Sequence, residues 1–366
     1  METFDTFNTL KRLTEAGGVS GDESAAANVA LELLKEFAPD ARIDCHGSVI
    51  GFIGQHDTEE KNDAEKRPVL FLDAHIDRIG LIVTDIDEKG FIRAGACGGI
   101  DRRALAAQAV TICGNGGKTV KGVICTLPPH VKKDNDSDEK RLIESDEIWI
   151  DAGLTFDRVK ELVSPGATIV IDGEITTMLG KKVSSPALDN RAGVCAVLYA
   201  LHILKAQKVL KMLRGKTLPN ISVSFSVQEE VGCRGAAVTA YNAAPDYAVV
   251  VDVSYGMSPG LEKKASTAIG ELGKGPMIGY APSLNRKMFE DLKQTATEQG
   301  IPYQLEIMHR DTSGTNADPV GIARGGIPTA LVSIPLRYMH TPVEVVDLSD
   351  IESSGELIAG FIDRLA

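Results

Sequence analysis

The chain has 366 residues, of which 43% are hydrophobic, and this is too long for one ordinary domain of about 100–200 residues. Its net charge of −12 argues against a nucleic-acid-binding protein, which needs a basic surface for phosphates. No segment approaches the roughly 20 consecutive apolar residues of a membrane span, and residues 1–5 do not resemble the start of a signal peptide, so we expect a cytoplasmic protein without nucleic-acid or membrane partners.

The first part of the chain has the pattern of an α/β domain. Apolar spacing predicts helices over residues 3–16 and 25–37, a hairpin over 43–53 and a buried strand over 68–74. The segment His75-Ile76-Asp77 follows that strand directly. Two segments, 56–67 and 132–140, are charged and poor in apolar residues, which predicts exposed loops.

Between residues 78 and 177 the pattern changes to short β-type runs separated by glycines and charged turns. We expect strands at 80–83, 90–94, 108–112, 122–126, 148–150 and 168–172, and one helix near 155–163. Such a series predicts a small β-rich, barrel-like domain. It interrupts the α/β pattern between the first buried strand and the next helix.

From residue 187 onwards strands and helices alternate again. Helices are expected at 192–210, 235–241, 285–300 and 350–366, and strands at 221–227, 247–253, 302–307 and 328–334. This alternation predicts a mostly parallel sheet with helices on both faces. We therefore divide the chain into an α/β domain of residues 1–77 and 178–366 and an inserted β-rich domain of residues 78–177.

Histidines and carboxylates recur where predicted strands end or helices begin. The set is His75, Asp77, Asp189, Glu229, Glu230, Asp252 and His340. Ligands of open α/β sheets bind outside the carboxyl ends of the strands, so we expect most of the set at one edge. Each residue alone is more often a structural hydrogen-bond partner than a ligand. Asp252 is harder to explain in this way, because a carboxylate among valines is costly to bury unless it is paired or binds a metal.

The set has the composition of a site for two metal ions. Two zinc-like ions about 3.5–4 Å apart need a bridging carboxylate and further histidine or carboxylate ligands on each side. Another carboxylate should orient a ligating histidine, and one that binds no metal should accept a proton from water. The seven residues provide a candidate for every role.

The order of the motifs resembles the TET-type aminopeptidases of metallopeptidase family forty-two, which belong to the dinuclear zinc exopeptidases. The resemblance covers nearly the whole chain. It rests on five segments in order: His75-Ile76-Asp77, 187–193, 228–232, Val251-Asp252-Val253 and 337–341.

The resemblance implies a role for each residue of the set. The implied ligands of two zinc or cobalt ions are His75, Asp189, Glu230, Asp252 and His340. Asp189 would bridge the ions, Glu229 would be the general base, and Asp77 would orient His75. The resemblance also implies cleavage of N-terminal residues from short peptides, and a homo-oligomer in which dimers, held by the β-rich domain, assemble into dodecamers.

Three residues depart from the usual pattern of the family. Arg78 and Asn316 stand where the family usually has an acid, and Asn190 replaces the second acid of the bridging motif. None is an implied ligand, so the departures bear on the preferred N-terminal residue. Arg78 and Arg310 could favour an acidic one, and the alternative is that both arginines are structural.

Three other functions remain open at this point. A deacylase or carboxypeptidase could use the same metal ions, and a non-catalytic metal-binding scaffold would tolerate the loss of Glu229. Glycoside hydrolysis, suggested by cellulase labels on some relatives, needs paired carboxylates but no metal. The number of histidines and carboxylates at metal-ligand spacing argues against it.

Overall fold

The computed structural model describes residues 3–54, 67–127, 130, 148–213, 218–261, 268–309 and 312–365, and for 207–213 only the backbone. The loop predicted at 132–140, almost all of the loop predicted at 56–67, and Arg310 lie outside these ranges. Within them, no helix is both long and apolar enough to cross a bilayer.

An eight-stranded sheet forms the centre of the larger part of the chain. Its strands in spatial order are β1 (Arg42–Ile43), β2 (Val49–Ile53), β12 (Asn220–Ser226), β3 (Val69–His75), β13 (Tyr247–Tyr255), β16 (Thr329–Leu336), β14 (Met277–Tyr280) and β15 (Gln304–Ile307). The central strands β12, β3, β13 and β16 are parallel, as are β14 and β15. The predicted mostly parallel sheet is confirmed, while β14 was not predicted.

Helices cover both faces of this sheet. They are α1 (Thr6–Glu15), α2 (Ser24–Lys35), α4 (Leu188–Leu213), α5 (Arg234–Ala243), α6 (Arg286–Gln299), α7 (Ala317–Gly321) and α8 (Leu348–Arg364). Successive side chains of a strand point to opposite faces. Leu70 and Leu72 of β3 accordingly join the core beneath α4 and α8, and Phe71 joins the core beneath α5 and α7. This explains why β3 reads as a continuous apolar run.

Six antiparallel strands form a closed barrel with its own core. In spatial order they are β4 (Gly80–Ile86), β5 (Ile92–Cys97), β8 (Ile148–Asp151), β7 (Thr119–Ile124), β6 (Ala109–Cys113) and β9 (Thr168–Ile171). Helix α3 (Phe156–Leu162) packs Val159 into this core. Residues of β7 alternate between exposed and buried, as expected for strands with one face inside a barrel. The predicted β-rich, barrel-like fold is confirmed, and the exact domain boundaries stay a prediction.

A small antiparallel sheet, which the sequence did not predict, joins two distant segments. Its order is β10 (Thr176–Thr177), β11 (Lys182–Ser185) and β17 (Glu344–Asp347). Ser185 pairs with Glu344. The sheet therefore places the residues that precede Asp189 beside those that follow His340.

Candidate metal centre

All seven residues of the set meet at the carboxyl edge of the parallel strands. His75 ends β3 and Asp77 follows it, Asp252 lies near the end of β13, and Glu229 and Glu230 follow β12. Asp189 lies at the start of α4, and His340 lies in the loop after β16. Parallel neighbours end at the same edge, which is why residues far apart in sequence converge here.

Two groups of possible ligand atoms share one residue, Asp189. His75 Nε2 lies 3.2 Å from Asp189 Oδ1 and 3.6 Å from Asp252 Oδ1. His340 Nε2 lies 3.4 Å from Asp189 Oδ2 and 3.3 Å from Glu230 Oε2. Within each group the ligand atoms lie within 4.8 Å of one another. Asp189 thus presents a different carboxylate oxygen to each group.

The chemistry of these groups fits divalent cations. The donors are imidazole nitrogens and carboxylate oxygens, which suit zinc and cobalt. Glu230 Oε1 is buried and has no hydrogen-bond partner among the described residues. Burial, followed by the charge of Asp189, raises the pKa of Glu230 well above its ordinary value, and burial also raises the pKa of Asp252. A cation shared between the carboxylates would relieve this crowding of negative charge.

The two histidines balance part of that charge. Burial alone would lower the pKa of both imidazoles, but the surrounding carboxylates outweigh it. The charge of Glu229 and contacts with Asp189 raise the pKa of His75 well above its ordinary value. Contacts with Asp189 and Glu230 raise the pKa of His340 to about 10. A bound cation must displace such protons, so binding should depend on pH.

Asp77 contacts two parts of the site at once. Its Oδ1 lies 3.4 Å from His75 Nδ1, and its own carbonyl oxygen lies 3.2 Å from the same nitrogen. The Asp77 carboxylate also accepts the backbone N–H groups of Glu229 at 3.0 Å and Glu230 at 3.2 Å. The Ser20 hydroxyl donates a further hydrogen bond at 2.6 Å. Asp77 therefore contacts the backbone of both Glu229 and Glu230 as well as the His75 ring.

Glu229 belongs to neither group of possible ligands. Its Oε2 lies 3.8 Å from His75 Nε2, and its Oε1 accepts a hydrogen bond from the Cys233 thiol at 3.4 Å. Burial is the largest cause that raises the pKa of Glu229 to about 7, and the charges of Asp252 and Asp189 add to it. A carboxyl group with a pKa in this range is suited to exchange a proton near neutral pH.

The Arg78 side chain is buried, with 3% of its surface exposed. Its guanidinium donates to the Ile171 carbonyl at 3.3 Å. Burial lowers the pKa of Arg78, and the charges of Glu344, Asp172 and Glu230 oppose that shift. This environment favours the structural alternative for Arg78 over direct contact with a substrate side chain.

The two asparagines that replace family acids are buried and hydrogen bonded. Asn190 donates to the Val251 carbonyl at 2.8 Å and accepts from the Gly193 N–H at 3.1 Å. Asn316 donates to Asp73 Oδ2 at 2.8 Å. Each amide group has N–H donors that a carboxylate does not have, and the Asn316 amide also donates to the Ser226 hydroxyl at 2.9 Å.

Two residues that touch the centre have no role assigned to them from the sequence. Glu344 accepts the backbone N–H groups of Asp189 and His340. The Gly99 carbonyl accepts a hydrogen bond from His340 Nδ1 at 2.8 Å. Neither residue has a local sequence signal for such a contact, since both interactions join segments far apart in the chain.

Comparisons with known proteins identify a family. The model described as M42 glutamyl aminopeptidase matches residues 58–357. Lysyl aminopeptidase of Pyrococcus furiosus is 32% identical over 361 residues, which cover 97% of this chain and 96% of that protein. A TET aminopeptidase of Thaumarchaeota archaeon SCGC AB-539-E09 superposes with a TM-score of 0.87 at 29% identity, covering 98% and 96% of the two chains. The TET1 peptidase of Pyrococcus horikoshii, which can assemble into a tetrahedron or a large octahedral shell, superposes with a TM-score of 0.79 at 29% identity, covering 97% and 98%.

Proposed function

The chain belongs to the M42 peptidase family and is an aminopeptidase, and we propose that it uses two divalent metal ions to remove N-terminal residues from short peptides. The family is metal-dependent, and the described residues contain two groups that could hold an ion. The observation that carries the proposal is that the two oxygens of Asp189 face different groups, at 3.2 Å from His75 and 3.4 Å from His340.

In this proposal Asp189 would help to hold both ions. His75 and Asp252 would complete one site, and Glu230 and His340 would complete the other. The ions are zinc or cobalt, which suit these nitrogen and oxygen donors. When bound, such a pair polarises the first peptide carbonyl and lowers the pKa of water.

Glu229 is the proton carrier of the proposed reaction. Its carboxylate takes a proton from the attacking water while the new C–O bond forms at the carbonyl carbon. As the C–N bond breaks, Glu229 returns the proton to the departing amine. Its position in neither ligand group leaves its oxygens available for this transfer, and Asp77 holds its backbone N–H in place.

We also propose an oligomeric assembly and a role for each domain. We infer a homo-oligomer built from dimers, reaching a dodecamer, because the P. horikoshii relative can assemble into a tetrahedron or a large octahedral shell. Residues 78–177 would form the domain that supports dimer contacts, and residues 1–77 and 178–366 the catalytic domain. A cytoplasmic location stays a prediction.

The most detailed part of the proposal concerns which N-terminal residue the enzyme prefers. The relatives carry both lysyl and glutamyl names. An acidic preference remains one candidate, although the burial of Arg78 gives it no support from that residue. A panel of aminoacyl p-nitroanilides with acidic, basic and apolar residues would rank the preferences directly.

The same panel tests the function against the alternatives. The enzyme, stripped by a chelator and reloaded with zinc or cobalt, should cleave free aminoacyl substrates and should release about two ions per subunit on acid treatment. Activity confined to N-acyl amino acids or to C-terminal residues would replace the proposal with a deacylase or a carboxypeptidase. Full activity on the aminoacyl substrates in a strong chelator would contradict a metal-dependent mechanism.

A further inference from the structure

Glu344 lies at the start of β17 and uses both carboxylate oxygens on the backbone of two proposed ligands. Its Oε2 accepts the Asp189 N–H at 3.1 Å, and its Oε1 accepts the His340 N–H at 2.9 Å. One side chain therefore joins the segment that carries the shared ligand to the segment that carries a terminal ligand.

The backbone fixes Glu344 from two sides. In the small sheet it pairs with Ser185, which precedes Asp189 closely in the chain. Val345, the next residue in the chain, exchanges two backbone hydrogen bonds with Arg337, at 3.0 and 3.1 Å. These bonds close the loop that contains His340, so the Glu344 carboxylate has a defined place between the two segments.

The loop of His340 depends on such contacts. His340 and Tyr338 have φ angles of 63° and 60°, in the left-handed region that residues with a Cβ rarely adopt. Three hydrogen bonds oppose this strain: the His340 N–H donates to Glu344, its carbonyl accepts from the Asp101 N–H at 3.0 Å, and its Nδ1 donates to Gly99. The direction of His340 Nε2 follows from these bonds.

The environment of Glu344 accounts for a buried carboxylate at this place. The residue is 1% exposed, and a buried carboxylate is unfavourable unless hydrogen bonds and opposite charge compensate it. Two N–H groups and the charge of the buried Arg78 guanidinium stabilise the carboxylate, although burial and the charge of Asp189 outweigh them and raise the pKa of Glu344 to about 8. A neutral side chain of the same size could accept only one of the two N–H groups.

We propose that Glu344 is a positioning residue of the metal centre, which holds the backbones of Asp189 and His340 so that both side chains reach the same ion. The inference rests on the proposed two-metal function. Glu344 is in neither group of possible ligands and would act through the residues that it holds. Its loss should weaken the site of Asp189, Glu230 and His340 more than the site of His75, Asp189 and Asp252.

The test compares Glu344→Gln with Asp347→Asn. Asp347 lies in the same strand, is buried, and accepts the Ser349 N–H at 3.0 Å, away from the centre. Metal-free protein is titrated with zinc in competition with a chromophoric chelator. We expect Glu344→Gln to weaken one zinc equivalent by at least about tenfold, in line with losses of outer partners of metal ligands. Asp347→Asn should stay within about twofold of the wild type, and excess zinc should restore part of kcat in Glu344→Gln.

Two results would overturn the role of Glu344. One is wild-type affinity for both equivalents in Glu344→Gln, and the other is an equal loss in Asp347→Asn, which would indicate a merely structural effect. A wild-type enzyme that binds fewer than two ions would instead contradict the two-metal function itself.

The test also provides for variants that do not fold. If Glu344→Gln does not fold, Glu344→Asp is titrated in its place, since the shorter side chain cannot span both N–H groups. If neither variant folds, amide hydrogen exchange of the metal-free wild-type protein tests the proposal instead. Protection of segment 338–343 supports the proposal, and exchange as fast as in exposed loops contradicts it.

Discussion

His340 Nδ1 lies 2.8 Å from the carbonyl oxygen of Gly99, which follows strand β5 of the barrel. The barrel segment thereby sets the tautomer of a residue in the candidate metal centre, because a carbonyl can only accept a hydrogen bond. Once a cation displaces the second proton of the imidazole, Nε2 is the nitrogen left free of hydrogen to bind it. The barrel is therefore in direct contact with the proposed catalytic machinery.

This contact predicts the effect of a small change at Gly99. A Cβ atom at this position would lie 2.9 Å from His340 Nδ1, so Gly99→Ala should push the ring away. We expect a loss of zinc affinity of about tenfold, similar to other losses of outer partners. The measurement is a zinc titration of the metal-free protein.

Gly325→Ala provides the control for Gly99→Ala. An added Cβ there meets nothing within 4 Å. If the two variants bind zinc equally well, the Gly99 contact does not position His340.

The role of Glu229 predicts a separation of chemistry from metal binding. Glu229→Gln keeps the size of the side chain but removes the proton acceptor, so kcat should fall by about 10²–10⁴-fold or more. Zinc content should remain that of the wild type, because Glu229 is in neither ligand group. Exposed Glu36→Gln is the control. Retention of most activity in Glu229→Gln would show that another group moves the proton.

The sharing of Asp189 predicts an asymmetry between ligand variants. Asp189→Asn should weaken both zinc equivalents, whereas Glu230→Gln should weaken mainly one, since only Asp189 lies in both groups. The losses should exceed the roughly 10–100-fold effect of an outer partner. Calorimetric titration distinguishes the equivalents.

The control for the ligand variants contacts the strand of His75 at its opposite end. Asp246→Asn changes an exposed carboxylate that accepts the Val69 N–H, at the far end of β3. It should bind zinc as the wild type does. Equal losses in Asp189→Asn and Glu230→Gln would contradict a bridging role for Asp189.

We predict that Asp350, which lies outside the metal centre, makes the stability of the protein depend on pH. Burial raises its pKa to about 6, although the N–H groups of Gly273 and Gly275 donate to it at 2.7 Å. The unfolded chain loses this proton near pH 3.9, at about the ordinary pKa of an aspartate. Between about pH 4 and 6 the folded state holds a proton that the unfolded chain has lost. The stability that this proton contributes to the folded state is fully present below about pH 4 and is lost as pH rises to about 6, at most by roughly 1.4 kcal/mol per pH unit.

Asp350→Asn should therefore flatten the stability profile between about pH 4 and 6 relative to the wild type. Urea unfolding of metal-free protein at several pH values measures this, since metal binding has a pH dependence of its own. Exposed Asp40→Asn should leave the profile unchanged. Parallel curves for Asp350→Asn and the wild type would show that Asp350 does not hold the extra proton.

The predictable part of the fold follows from long apolar patterns. The runs that became β3 and β13 are buried on both faces, and their continuous hydrophobicity predicted this. The strands β10, β11, β14 and β17 have two to four residues each, and at that length periodicity alone does not distinguish a strand from a loop. Missing β17 also meant missing Glu344.

The sequence by itself determined which residues could form the centre, because side chains that end parallel strands must meet at one edge, as His75 and Asp252 do. Only the tertiary structure decided how they are held. Backbone N–H groups are chemically alike at every residue except proline, so no sequence indicates that Glu344 would accept those of Asp189 and His340. The contact of Gly99 with His340 has the same origin: it exists only once the barrel and the sheet are packed together.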